Sequence, residues 1–113
     1  MDRVISLAER LGKAIGETDR FNRLRQAEKL VQENADARKA LDDLEAAQAD
    51  IARKESEGKP IEPDEKRRVA ELQASVHNNE ALQTLARAQA DYMEMMNRVN
   101  TTIRTQLGTD MEG

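Results

Sequence analysis

The stretch Ala40-Leu41-Asp42-Asp43-Leu44-Glu45-Ala46-Ala47-Gln48-Ala49-Asp50-Ile51 returns 41 residues later as Ala81-Leu82-Gln83-Thr84-Leu85-Ala86-Arg87-Ala88-Gln89-Ala90-Asp91-Tyr92. Both copies read A-L-x-x-L-x-x-A-Q-A-D and then a large apolar residue. Apolar residues three and four apart share one face of a helix. The repeat predicts an all-α chain in which two similar helical halves pack on each other. Nothing in the remaining residues points to a reaction.

The chain has 113 residues, the length of a single domain. Charged residues make up 35% and aromatic residues 2%, the latter being Phe21 and Tyr92. Much of the apolar content is alanine, which buries little area. A core with so few large side chains is thin for a lone domain at roughly 25 cal/mol per Å² of buried apolar surface. A partner surface is expected, most simply a second copy of the chain, as a dimer or tetramer.

There is no cysteine. Disulfides, thiolate zinc sites, cysteine-ligated iron–sulfur clusters and thiol catalysis are therefore excluded within the chain. The start, Met1-Asp2-Arg3-Val4-Ile5-Ser6-Leu7, lacks the apolar run of a signal peptide. No stretch approaches the roughly 20 apolar residues of a membrane span. The expectation is a cytoplasmic protein without a membrane partner.

Charge is unevenly spread. Residues 1–29 carry +2, residues 30–65 carry −6, and residues 66–113 balance. An acidic middle argues against a general nucleic-acid surface, which needs clustered positive charge. Two basic clusters remain, Arg20, Arg23 and Arg25 with Lys29, and the run Lys66-Arg67-Arg68. They are candidate contacts for an acidic partner or RNA, set against the plainer reading of a solvated helix face.

The segments follow from periodicity and punctuation. Val4, Leu7, Ala8, Leu11, Ala14 and Ile15 predict a first helix over residues 2–15, with Gly16 as its C-cap. Thr18 reads as the N-cap of a second helix bearing Phe21, Leu24, Ala27, Leu30 and Val31. Asn34 breaks it, and a third helix carries Leu41, Leu44, Gln48 and Ile51 to about residue 57. Gly58-Lys59-Pro60-Ile61-Glu62-Pro63 is the clearest break, with Pro63 suited to the first turn of a fourth helix and Ile61 a candidate apolar plug. After His77-Asn78-Asn79, the fifth helix carries Leu82, Leu85, Gln89, Tyr92, Met96, Val99 and Ile103 at alternating steps of three and four, a heptad seam. The expected architecture is about five helices, two of them long and antiparallel with shorter helices packed on them. It forms a single helical domain over residues 1–107, with residues 108–113 a disordered tail.

Leu82, Leu85, Gln89, Tyr92, Met93, Met96, Val99 and Ile103 are the candidate oligomer seam. The cluster Met93, Met95 and Met96 widens the apolar arc beyond one stripe, and methionine suits an adaptable partner surface. Gln48 and Gln89 hold the same repeat position. A buried amide there would fix register between helices, whereas one at the seam's edge would touch water. His77 is the single histidine and sits in a predicted turn, which favours a cap or surface role. The carboxylates Asp42, Asp43, Glu45, Asp64 and Glu65 come without a Glu-x-x-His pair, which disfavours a di-metal bundle site. No phosphate loop, nucleophile elbow or zinc motif occurs, so no cofactor is assigned.

The ordered signals resemble a known family. They are Leu11-Gly12-x-Ala14-Ile15-x-x-Thr18-x-x-Phe21, Leu24-x-x-Ala27-Glu28, the long-helix pattern ending in Gln48, and Gly58-Lys59-x-Ile61. Leu72 and Val76 before Asn78, Ala88-Gln89, and Val99-Asn100-x-x-Ile103 complete the set. Over about residues 4–104 the chain resembles the bacterial YlbF/YmcA-like proteins, linked to control of competence, sporulation and biofilm formation. The resemblance implies an all-α homo-oligomer that acts as a regulatory adaptor rather than an enzyme. It also implies association with a complex acting with ribonuclease Y. Some such complexes carry iron–sulfur clusters, and without cysteine that ligation does not carry over. Leu44 stands where the pattern has a larger aromatic residue, and Asn79 where it has proline. A non-catalytic regulator or scaffold is the leading expectation, and an RNA-binding accessory factor using the basic clusters is the alternative.

Overall fold

The computed structural model describes residues 1–108, and they form five helices: α1 (Asp2–Gly16), α2 (Asp19–Glu33), α3 (Ala35–Ser56), α4 (Pro63–Asn78) and α5 (Glu80–Leu107). No strand occurs among these residues. The fold is all-α, and α3 and α5 are the long helices at 22 and 28 residues. Of the tail over residues 108–113, expected to be disordered, residues 109–113 lie outside the described residues, and the Gly108 N–H reaches the Thr105 carbonyl at 3.1 Å.

Short polar side chains set the boundaries. The Thr18 hydroxyl donates to the Ile15 carbonyl at 2.7 Å and accepts from the Phe21 N–H at 3.1 Å. One side chain thus satisfies an orphan group at the end of α1 and another at the start of α2. The expected glycine C-cap at Gly16 is not formed. Gly16 is the last helical residue, and Glu17 follows it in right-handed conformation with φ −94°. Tight backbone bonds from Glu17 and Thr18 back to Ala14 and Ile15 close the turn, so no left-handed residue is needed.

Asn34 and Asn79 cap α3 and α5, accepting from the Ala37 N–H at 2.7 Å and the Leu82 N–H at 3.0 Å. Helix α3 ends at Gly58, whose φ of +72° is left-handed. The Lys59 N–H reaches the Lys54 carbonyl at 2.9 Å and the Gly58 N–H the Glu55 carbonyl at 3.2 Å, the two bonds of a Schellman end. Pro63 opens α4, and the Glu65 carboxylate accepts from the Glu62 N–H at 3.0 Å.

The chain divides into two compact units, one of Met1–Ala27 with the chain from Ala86 onward, the other of Glu28–Leu85. In the second unit α3 and α4 form an antiparallel hairpin. Lys54 near the end of α3 pairs with Glu65 at the start of α4 at 2.5 Å. At the other end Ala37 of α3 joins a cluster with Val31 and Leu82, against which Val76, Ala81 and Leu85 pack. Leu72 is also buried, and Ile61 is half-buried in the loop.

In the first unit the buried side chains among the described residues are Ala27 and Ala88. Phe21 of α2 meets Tyr92 of α5 with ring centroids 6.0 Å apart and planes tilted by 54°. Arg20 Nη1 donates to the Asp91 carbonyl and to Glu94 Oε1, both at 3.1 Å. The sequence repeat keeps the phase of burial, with Leu44 and Leu85 both half-buried and Gln48 and Gln89 both exposed, but not its depth. Leu82 is 8% exposed while its counterpart Leu41 is 37% exposed, and Ala88 is buried while Ala47 is half-buried. The copy in α3 starts six residues after its Asn cap and the copy in α5 only two, so equivalent residues occupy different turns.

Candidate interaction surface

Helix α1 carries the most regular apolar stripe in the chain and buries none of it. Val4, Leu7 and Leu11, at steps of three and four, are 64%, 51% and 38% exposed. Cover therefore falls away steadily toward the N-terminus of the helix. Isolated helices of this length are marginal in water, because nucleation costs more than a few hydrogen bonds return. An amphipathic helix is normally held by packing of its apolar face, and here that face is largely open.

The C-terminal part of α5 shows the same condition. Met95 and Met96 are half-buried, Val99 is half-buried, and Met93, Ile103 and Leu107 are exposed. Leu11 of α1, Arg20 of α2 and Met95, Arg98, Val99, Thr102 and Ile103 of α5 line one open hollow of about 580 Å³. Its floor is apolar, and its polar groups are two guanidinium groups and a threonine. The Thr102 hydroxyl turns back to the Arg98 carbonyl at 2.7 Å, which leaves it satisfied inside its own helix.

The seam residues of α5 are divided by burial. Leu82 is buried and Leu85 half-buried in the cluster with Val31 and Ala37. Tyr92 is half-buried against Phe21. From Met93 onward no apolar position is fully buried: Met95, Met96 and Val99 stay half-buried while Met93, Ile103 and Leu107 are exposed, so cover thins toward the C-terminal end of α5. Gln48 and Gln89 are both exposed. In this chain neither amide meets an apolar surround, and neither faces the desolvation cost of a buried polar group.

The basic clusters are engaged in part. Arg20 pairs with Glu94, and the Arg25 guanidinium lies 5.9 Å from the centre of the Phe21 ring. Arg67 pairs with Asp64 at 3.0 Å, and Arg23, Lys66 and Arg68 are exposed. Arg68 borders a small hollow of about 220 Å³ beside Asp50, Asp64, Glu65 and the apolar Ala47 and Ile51. Neither cluster forms an uninterrupted positive surface. Glu65 is held below the ordinary carboxylate range, first by its hydrogen bond from Lys54 and then by the Glu62 N–H. That shift belongs to the hairpin end, not to a reactive carboxylate.

His77 is exposed at the end of α4, where its carbonyl accepts from Gln83 Nε2 at 2.8 Å. Among the described residues no three His, Cys, Asp or Glu side chains converge on a point where a metal could sit. No helix among them is long and apolar enough to cross a membrane. Sequence periodicity pointed to the seam on α5, but it gave no sign that α1, with an equally clear stripe, would be the more open surface.

A family described as "Control of competence regulator ComK, YlbF/YmcA" matches residues 4–108. A UPF0342 protein of Lactobacillus acidophilus is 24% identical over 102 residues, covering 90% of this chain and 88% of that protein. A UPF0342 protein of Levilactobacillus brevis is 28% identical over 102 residues, covering 90% of each. No solved structure matches the chain.

Proposed function

The chain belongs to the YlbF/YmcA family of regulators that control the competence regulator ComK, and on that premise we infer that it is a non-catalytic regulator acting through helix-to-helix contacts and self-association. The observation behind this reading is the first unit, in which only Ala27 and Ala88 are buried among the described residues while Val4, Leu7, Ile103 and Leu107 stand exposed. A structure that builds amphipathic helices and leaves their stripes open is suited to binding another helical surface. The partners in this reading are further copies of the chain and regulatory proteins of a ribonuclease Y complex, met in the cytoplasm. The RNA-binding alternative draws less support, since Arg20 and Arg67 are already paired with carboxylates.

The test is the solution mass of the purified chain over a dilution series, by light scattering coupled to size exclusion. A persistent dimer or tetramer supports self-association. A monomer down to micromolar concentration removes it and leaves contact with a different regulatory protein. RNA retention at low salt that falls as salt rises would favour the alternative.

A further inference from the structure

We propose that the hollow between α1 and the C-terminal half of α5 is a binding site for a single-chain amphiphilic carboxylate, an aliphatic chain ending in one anionic group. Such a ligand is independent of the self-association inferred above.

The hollow, of about 580 Å³, has the size of a small-molecule site. Helix periodicity gives it two unlike walls. On α5, Met95, Val99 and Ile103 follow one another at steps of four and make an apolar strip, to which α1 adds Leu11. Arg98 and Thr102 run beside that strip, one position earlier along the helix. The Thr102 hydroxyl is committed to the Arg98 carbonyl. The polarity left for a ligand is therefore the Arg98 guanidinium and, from α2, that of Arg20.

Charge decides the head group. The chain carries a net charge of −4, and the hollows of the other unit are bordered by Asp36 and Asp43 or by Asp50, Asp64 and Glu65. Among the described residues that line this one there is no carboxylate. Arg20 is bonded through Nη1 to the Asp91 carbonyl and to Glu94, and a guanidinium carries further N–H groups. Arg98 pairs with no carboxylate among the described residues. One carboxylate can accept two parallel N–H bonds from such a fork.

The apolar strip decides the rest of the ligand. No aromatic ring among the described lining residues offers a stacking face for a base, and no neutral polar side chain is left to recognise a sugar. From Met95 to Ile103 the helix rises about 12 Å. At C–C bonds of about 1.5 Å this is the length of an extended chain of roughly eight to ten carbons. Methionine suits such a floor because its side chain adapts to an irregular shape.

The experiment titrates the isotope-labelled full chain with octanoate and decanoate below their micelle concentrations, reading amide and methyl shifts by NMR. Decyltrimethylammonium serves as the cationic counterpart. Arg98→Gln is compared with Lys13→Gln, an exposed cation of the same unit that does not line the hollow. The expected result is saturable shifts at Leu11, Met95, Val99 and Ile103, with little response to the cation. A fully buried methylene is worth about 4-fold in affinity, and in an open hollow about 2-fold, so decanoate should bind about 4-fold more tightly than octanoate. Arg98→Gln should weaken decanoate by about 5-fold or more, and Lys13→Gln should not. No shift at millimolar carboxylate overturns the site. So do shifts spread over both units without saturation, an equal response to the cation, or a response to anionic phospholipid vesicles alone. Unchanged affinity in Arg98→Gln overturns the assignment of the head group. Should that variant lose helicity, the chain-length and head-group comparisons on the wild-type chain decide.

Discussion

Truncating the two repeat leucines separates sequence similarity from structural equivalence. Leu82→Ala and Leu41→Ala remove the same atoms from the same position of the repeated motif. Leu82 is 8% exposed and packs with Val31 and Ala37, whereas Leu41 is 37% exposed on α3. At Leu82 nearly all of the transfer free energy is lost, and enclosed neighbours leave a cavity behind, so the cost is about 3 kcal/mol. At Leu41 part of the side chain already meets water and no enclosed cavity forms, so the cost is about 1 kcal/mol. For a chain of this size these values lower the melting temperature by roughly 12–24 °C and 4–8 °C. Urea titration followed by circular dichroism, at low micromolar protein and with comparable denaturant slopes, gives both losses directly. Equal losses, or a larger one at Leu41, would refute the unequal burial on which the reading of the repeat depends.

Three further expectations concern the chain's punctuation. Gly58→Ala should destabilise by about 1 kcal/mol, because φ is +72° there while the added Cβ meets open space; a neutral effect in denaturant titration would remove the strain argument. Asn34→Ala should cost about 1 kcal/mol through loss of the cap on the Ala37 N–H, with Asn34→Asp retaining most of it; equal losses for Ala and Asp would count against the cap. For Glu65, whose pKa is lowered on folding from 4.5 by Lys54, the stabilisation is present above about pH 4.5 and is lost as pH falls through the folded value. Wild type should therefore exceed Glu65→Gln in stability at pH 7 and converge on it toward pH 3, and a gap independent of pH would contradict the ion-pair origin of the shift.

The candidate surface was only partly legible before the fold. The α5 positions from Leu82 to Ile103 stood out as a seam because their spacing alternates regularly. That spacing does not reveal that Leu82 and Leu85 face a core while Met93 and Ile103 face outward. The same limit applies to Gln48 and Gln89, whose place on apolar stripes suggested burial as readily as exposure and which are exposed in this chain. Periodicity shows that a face is apolar but says nothing about which element lies across from it.

Local chemistry determined the helices themselves. Asn34, Thr18 and Asn79 cap where their side chains can reach the next turn's N–H groups, Gly58 ends α3 because it tolerates left-handed backbone, and Pro63 opens α4 because its missing N–H has no partner to lose. Each decision is made within a few residues and can be read in order along the chain. Gly16 was the exception, since a hydroxyl two residues later closed α1 without it. Tertiary structure alone decided which stripes are covered. The two copies of one motif are buried unequally, and the clean stripe of α1 stays open. Burial depends on residues distant in sequence meeting at one place, and no local pattern encodes that meeting.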